Sequence, residues 1–301
     1  MLRIDNLKLP IGAGEQDLRA AAAHALRADA SALVSVRLLR RSVDAREGVK
    51  LVCSCAAEVK NEAAVLKRCK NKNVQPYTPQ KYVPPAPIAA PALSPVVVGA
   101  GPAGLFCALL LARCGARPIL LERGRAVEQR KRDVDRFWRT GELDLSSNVQ
   151  FGEGGAGAFS DGKLNTGTKD LRHGFILEEF VRCGASGDIL VDAKPHVGTD
   201  KLYVVLQNLR REIIARSGEV RFSHRLVDIL PDGGSVTALR VASPEGEYTL
   251  PARHVVLAPG HSARDTFEML RARGVPMEPK PFAVGVRIEH RQRDMDLAQY
   301  R

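Results

Sequence analysis

The segment PVVVGAGPAGLFCALLLARCGARPILLERG, residues 95–124, restricts what this chain can fold into more than any other. Its apolar start at 95–99 reads as a strand buried on both faces of a parallel sheet, 102–114 as a helix, and 118–122 as a second buried strand. Within this β-α-β unit Gly99 allows the tight turn after the strand, Gly101 lets backbone approach a pyrophosphate, and Gly104 permits close packing of the helix. The helix start at Ala103, behind Pro102, offers free N–H groups and the positive end of the helix dipole to an anion. Glu122 ends the second strand, 122 − 99 = 23 residues beyond the first glycine. That is near the spacing of about 20 expected for an acid that accepts a ribose hydroxyl.

Upstream, seven prolines between residues 74 and 95 fix φ and remove backbone donors, which predicts a semi-rigid extended linker. Before it the pattern reads strand 2–9, helix 15–27, strands 33–40 and 49–59, helix 62–70 opened by Asn61, and a short strand near Val74. That β-α-β-β-α-β order is the ferredoxin-like arrangement, a topological name that implies no iron. Downstream, helices are expected at 127–140, 171–183 and 200–216 around a glycine-rich loop at 151–167. Short strands at 220–223, 226–230, 236–242 and 247–250 suggest an antiparallel meander, followed by a return strand at 255–258 and another at 283–289. The expected organisation is a small α+β domain at 1–75, a linker at 76–94 and an α/β Rossmann-like nucleotide-binding domain at 95–301.

The longest apolar stretch, 105–112, is far short of the roughly 20 residues a membrane-spanning helix needs, and the N-terminus lacks a signal-peptide core. Six scattered cysteines then read as reduced thiols of a cytoplasmic protein. The net charge of +11 favours anionic partners, and residues 1–90 carry +7 of it, from 15 Lys and Arg against 8 Asp and Glu. A nucleic-acid partner is nonetheless the weaker reading, because residues 1–70 contain no Phe, Tyr or Trp on which bases could stack. Cys53, Cys55 and Cys69 lack metal-ligand spacing and read as small buried hydrophobes; the histidines show no zinc spacing, so no metal is expected. Cys107 and Cys114 read as packing residues of the helix after GAGPAG, not as a redox pair.

Glu122 fits both NAD and FAD. Together with GAGPAG and LLERG, three further segments carry a family resemblance: VQFGEGGAGAFSDGKLNT (149–166), HVVLAPGHSARDTFEML (254–270) and KPFAVGVRIEH (280–290). The chain resembles glutathione-reductase-type flavoproteins, in the branch of bacterial FAD-dependent dehydrogenases and oxidoreductases. The resemblance implies FAD as cofactor, with the 149–166 loop near the flavin, the glycine turn at Gly260 passing the cofactor, and backbone at Val227 meeting the adenine. It also implies a substrate domain beyond Arg301, so that the chain is expected to be C-terminally truncated, with a flavin site open on one side.

In the second glycine loop, Gly152, Gly154, Gly155 and Gly157 allow backbone N–H groups to lie against a ring or phosphate, while Ser160, Asp161 and Lys163 supply polar contacts. Gly260 and Arg264 flank Ser262, which also reads simply as a helix cap, with His261 as its neighbour. Arg123 and Arg130 are the cations expected to reach the cofactor, although Arg125, Lys131 and Arg132 interleave with acids as on a solvated helix face. The expected cofactor-binding set is Gly99, Gly101, Pro102, Ala103, Gly104, Glu122, Arg123, Arg130, Gly154, Gly155, Ser160, Lys163, Val227, Gly260 and Arg264, with no catalytic residue assigned. These residues point to an FAD-dependent oxidoreductase acting with an unidentified small-molecule substrate or electron donor. A flavin-dependent nucleic-acid-modifying protein and a non-catalytic FAD-binding module are the alternatives.

Overall fold

The computed structural model describes residues 1–159, 162–164, 166, 168–286 and 288–300. The first unit runs β1 (Leu2–Leu9), α1 (Glu15–Leu26), β2 (Leu33–Asp44), β3 (Lys50–Val59), α2 (Glu62–Arg68) and β4 (Val74–Pro76). Its sheet has the order β2-β3-β1-β4 with every pairing antiparallel. The alternation of β1 sends Leu2, Ile4, Leu7 and Leu9 to the interior, with a register shift around Asn6, which sits at φ 60°. Against that face α1 lays Leu18, Ala22, Ala23 and Leu26, while Cys53 and Cys55 of β3 are buried among them. Burial pushes the Cys55 thiol up to about 12, as expected of an inert packing residue.

The proline-rich stretch is laid along the second unit. Ile88 N–H donates to Cys114 O at 2.8 Å, Lys81 pairs with Glu178 at 2.9 Å, and the Tyr82 ring meets Phe175 edge-on at 5.3 Å. The two units also touch directly. Arg41 N–H donates to Val191 O at 2.7 Å, Ala193 N–H donates to Arg41 O at 2.8 Å, and the Arg41 guanidinium reaches Asp188 and Asp192.

The second unit contains β5 (Val96–Val98), α3 (Pro102–Arg113), β6 (Ile119–Glu122), α4 (Val127–Thr140), α5 (Arg172–Arg182) and α6 (Thr199–Ala215). It continues with β7 (Glu219–Phe222), β8 (Arg225–Asp232), β9 (Ser235–Ser243), β10 (Gly246–Pro251), β11 (Val255–Leu257), α7 (Arg264–Ala272) and α8 (Gln292–Tyr300). A parallel sheet of order β11-β5-β6-β7 forms its centre, and β10-β9-β8 make the antiparallel meander. Strand alternation sorts the two cores. Val97 and Leu120 pack with Leu105, Leu109, Leu206 and Leu209 of α3 and α6, whereas Val96, Val98 and Leu121 pack with Leu226, Leu239 and Val241 of the meander. The fold is therefore α/β, a parallel sheet between helices and a small antiparallel sheet, preceded by an α+β unit.

The strand expected at 283–289 is not present among the described residues, which are irregular there. Phe282, Val284, Val286 and Ile288 keep a strand's alternation yet are 77–95% exposed. A strand needs a neighbouring edge to satisfy its backbone, and no described strand lies beside this segment. No helix among the described residues is long and apolar enough to cross a membrane.

Candidate functional site

The carboxyl ends of β5, β6 and β11 open into a cleft of about 240 Å³, the position where an open parallel sheet places its ligand. Its floor is the turn from β5 into α3. Gly99 lies at φ 100°, and a Cβ there would stand 2.2 Å from Ala258 O on β11's extension, so only glycine lets the neighbouring strand end approach. At Gly104 a Cβ would meet Gly99 O at 1.8 Å, which lets α3 start immediately behind the turn. A Cβ on Gly101 would enter the space between the two glycine segments, where its nearest neighbour is Gly155 Cα at 3.9 Å. Because α3 begins after Gly101 with Pro102 in its first turn and no side-chain cap, its N-terminal positive end is left to the cleft.

Glu122 lines this cleft, and its carboxylate also ties the surrounding backbone together. Oε2 accepts from Ala100 N–H at 2.7 Å, and Oε1 accepts from Gly124 N–H and Gly152 N–H at 2.9 Å each. A carboxylate has about four acceptor positions, so capacity remains for a hydroxyl donor. Arg123 lies beside it with its guanidinium 4.3 Å from the centre of the Phe151 ring, donating to Asp265 at 2.9 Å and Thr266 at 3.2 Å. Arg225 reaches the other Asp265 oxygen at 3.1 Å. Ser262 Oγ donates to Gln150 Oε1 at 2.9 Å, joining the β11 turn to the second glycine loop.

That loop owes its shape to Arg130. Fully buried, its guanidinium donates to Asn148 O at 2.9 Å, Val149 O at 3.0 Å, Gly152 O at 3.2 Å and Glu153 O at 2.7 Å. Burial lowers its pKa to about 10, with Glu122 opposing, and it stays charged at neutral pH. Gly154 N–H donates to Ala100 O at 2.8 Å and Glu153 N–H to Arg125 O at 3.1 Å, so the loop is stitched to the first turn and to the segment after β6. The Glu153 carboxylate is fully buried, and burial pushes its pKa up to about 7.

Of the expected set, Gly99, Gly101, Pro102, Ala103, Glu122, Arg123, Gly155 and Gly260 converge on the cleft. Gly104 and Arg130 lie behind it, the first as a packing position and the second beneath the loop. Gly154 backs onto Leu206, and Lys163 borders a separate apolar cavity of about 120 Å³ with Leu164 and Leu202. Val227 does not line the cleft, though its neighbour Leu226 does, and Arg264 opens α7 outside it. Ser160, like Asp161, lies outside the described residues. Sequence reasoning missed Phe151, Glu153 and Arg225. A charged residue between glycines in GEGG was a usable signal for Glu153; Arg225 offered none.

Comparison with known proteins fits this geometry. Residues 93–135, which span the first turn and the Glu122 strand, match the FAD binding domain family, and residues 1–60 match a domain of unknown function (DUF8436). An uncharacterized protein of Clostridium beijerinckii is 40% identical over 303 residues, covering 99% of this chain and 56% of that protein. The chain thus spans about half the length of the curated relative it matches. Among solved structures, Thermovibrio ammonificans THI4 aligns with a TM-score of 0.41 at 18% identity over 61% of this chain and 64% of that one. The 3-ketosteroid-delta4-(5alpha)-dehydrogenase of Rhodococcus jostii RHA1 aligns with a TM-score of 0.35 at 18% identity over 63% and 51%. The bare helix start, the side-chain-free gap at Gly101 and the carboxylate ending β6 suit an adenine dinucleotide, and with the family match the cofactor is FAD.

Proposed function

We propose that this chain is the FAD-holding part of an oxidoreductase acting on an unidentified small molecule. The observation that carries the reading is the cleft itself. Two glycine segments, an uncapped helix start and Glu122 meet at the carboxyl edge of a parallel sheet, and the first glycine segment, the helix start and Glu122 lie in the residues that match an FAD binding domain. When bound, FAD supplies a ring that accepts or donates a hydride or electrons. The chain's residues supply position and electrostatics. Backbone at Gly101 and Ala103 would meet the diphosphate, Glu122 would accept from a ribose hydroxyl, and Arg123, fixed by Asp265 and Phe151, holds positive charge at the rim. Gly152, Gly155 and Gly260 would wall the rest of the cofactor without side chains.

The finer likeness to glutathione-reductase-type dehydrogenases is part of this reading, supported by the LLERG and GEGGAG segments. So is a division into a ferredoxin-like unit at 1–75, a linker at 76–94 and the FAD unit at 95–301, supported by the sheet orders. The six free thiols fit a cytoplasmic setting. The test is titration of the purified chain with FAD, followed by anaerobic mixing with NADH, NADPH and dithionite. Binding with bleaching of the visible flavin band by a nicotinamide supports the reading. FAD that binds but is reduced by dithionite alone leaves only a binding module.

A further inference from the structure

Glu153 lies between Gly152 and Gly155, which line the cleft, yet its own side chain turns inward and is fully buried. Its Oε2 accepts from Val127 N–H at 2.8 Å and from Arg210 Nη1 at 2.8 Å. Its Oε1 has no hydrogen-bond partner among the described residues. The charges facing it come from three elements: Arg210 of α6, shared with Glu128 at 2.6 Å, Glu128 and Arg130 of α4, and Glu122 of β6. Arg130 spends its donors on four backbone carbonyls, including that of Glu153 itself, and none on this carboxylate. An ionised Glu153 therefore keeps one charged oxygen buried without a donor, with two other carboxylates nearby and the one cation that bonds it, Arg210, divided between two acids.

We propose that Glu153 is a proton-coupled positioning residue of the cleft, taking up a proton from solvent when FAD binds. This rests on the FAD reading above. The diphosphate brings negative charge to the helix start at Gly101–Ala103, opposite Gly155, and closes the cleft to water over the loop that carries Glu153. Both effects disfavour a further anion behind that loop. The neutral carboxyl retains the acceptor role toward Val127 N–H, and Arg210 keeps Glu128. Only one O–H bond forms, at a Glu153 oxygen. The balance already stands near neutrality in the free protein, where burial pushes this carboxyl up to about 7. By linkage, FAD affinity rises as pH falls, and FAD raises the pH at which Glu153 ionises.

The experiment is calorimetric titration with FAD in two buffers of different ionisation enthalpy, from about pH 6 to about pH 8.5, for the wild type, Glu153→Gln and Arg210→Gln. The wild type is expected to lose about tenfold in affinity across that range, with net proton uptake per FAD greatest between the pH at which Glu153 ionises in the free protein and the higher one at which it ionises with FAD bound. Glu153→Gln, with a permanently neutral group of the same shape, should bind as the wild type does at low pH, with a flattened profile and that uptake gone. Arg210→Gln should move the wild-type transition to higher pH, because the cation favouring ionisation is removed. A purely structural role for Glu153 would move affinity but not proton uptake. Binding of FAD with the same pH slope and uptake in Glu153→Gln overturns the inference alone. Absence of FAD binding at every pH overturns the FAD reading and the inference with it.

Discussion

In the turn at residues 99–104 the chain is shaped chiefly by backbone, Gly99 against Ala258 O and Gly104 against Gly99 O, with a strand on one side, a helix on the other and Glu122 accepting from Ala100 N–H. In the loop at 148–155 a similar density of glycine is shaped by side chains brought from outside it. Arg130 of α4 clasps four of the loop's carbonyls, Glu122 of β6 accepts from Gly152 N–H, and Arg210 of α6 holds the loop's own Glu153. The first segment is set mainly by β5, α3 and the β11 end packed on Gly99. The second depends on charged groups brought by α4, β6 and α6, so its shape responds more strongly to charge and pH than that of the first.

The largest effect should come from breaking the backbone-held segment. Gly104→Ala places a Cβ 1.8 Å from Gly99 O, with no flexible atom to yield. We expect loss of FAD binding and a loss of more than about 3 kcal/mol of stability, measured by urea unfolding. Next comes Arg130→Lys, which retains charge but cannot span the four carbonyls now served by one planar guanidinium. Stability should fall by about 2–4 kcal/mol, since buried carbonyls lose their donors. Hydrogen exchange should rise at residues 148–155 and stay unchanged at 96–104. Equal loosening of both segments would break the distinction between them.

A smaller change is expected from Glu122→Gln, which touches both segments at once. An amide cannot accept from Ala100, Gly124 and Gly152 N–H together without turning its own NH₂ toward one of them. FAD affinity should fall by roughly 10–100-fold, the range set by hydrogen bonds to a charged acceptor, as read by quenching of flavin fluorescence. The smallest effect is a pH dependence of stability confined to the side-chain-held loop. Glu153 holds its proton more tightly folded than unfolded, so its contribution is fully present below its ordinary value of 4.5 and is lost as pH rises towards about 7. The difference in urea midpoint between the wild type and Glu153→Gln should widen in that direction over this interval, in favour of the variant. A difference that is flat with pH would show that Glu153 does not titrate there.

This contrast also explains what could be read from the sequence. The first segment was legible because its determinants are local: a strand, three glycines at fixed offsets, a helix, and an acid ending the next strand. The β-α-β-β-α-β order of the first unit was legible for the same reason, since alternation in β1 and β3 and the apolar face of α1 are local patterns. The internal role of Arg130 was not, because the charged sequence around it resembles a solvated helix face, and only tertiary packing turns this residue toward the loop. Arg225 and Phe151 likewise enter the site through the docking of β8 and the loop beside β6, which no spacing rule records. At 283–289 alternation was a true property of the sequence, but a strand also requires a partner edge, and none of the described strands supplies one.

The most direct test of the central claim, that the cleft between the two glycine segments holds FAD, is the visible absorption spectrum of the purified chain with added FAD after removal of unbound flavin. It should be accompanied by identification of the flavin released on heating and by the same measurement on Gly104→Ala. The structure predicts a perturbed flavin spectrum and release of FAD from the wild type, and neither from the variant. A folded wild-type chain that retains no flavin, or a variant that retains it equally, would contradict the assignment of this cleft.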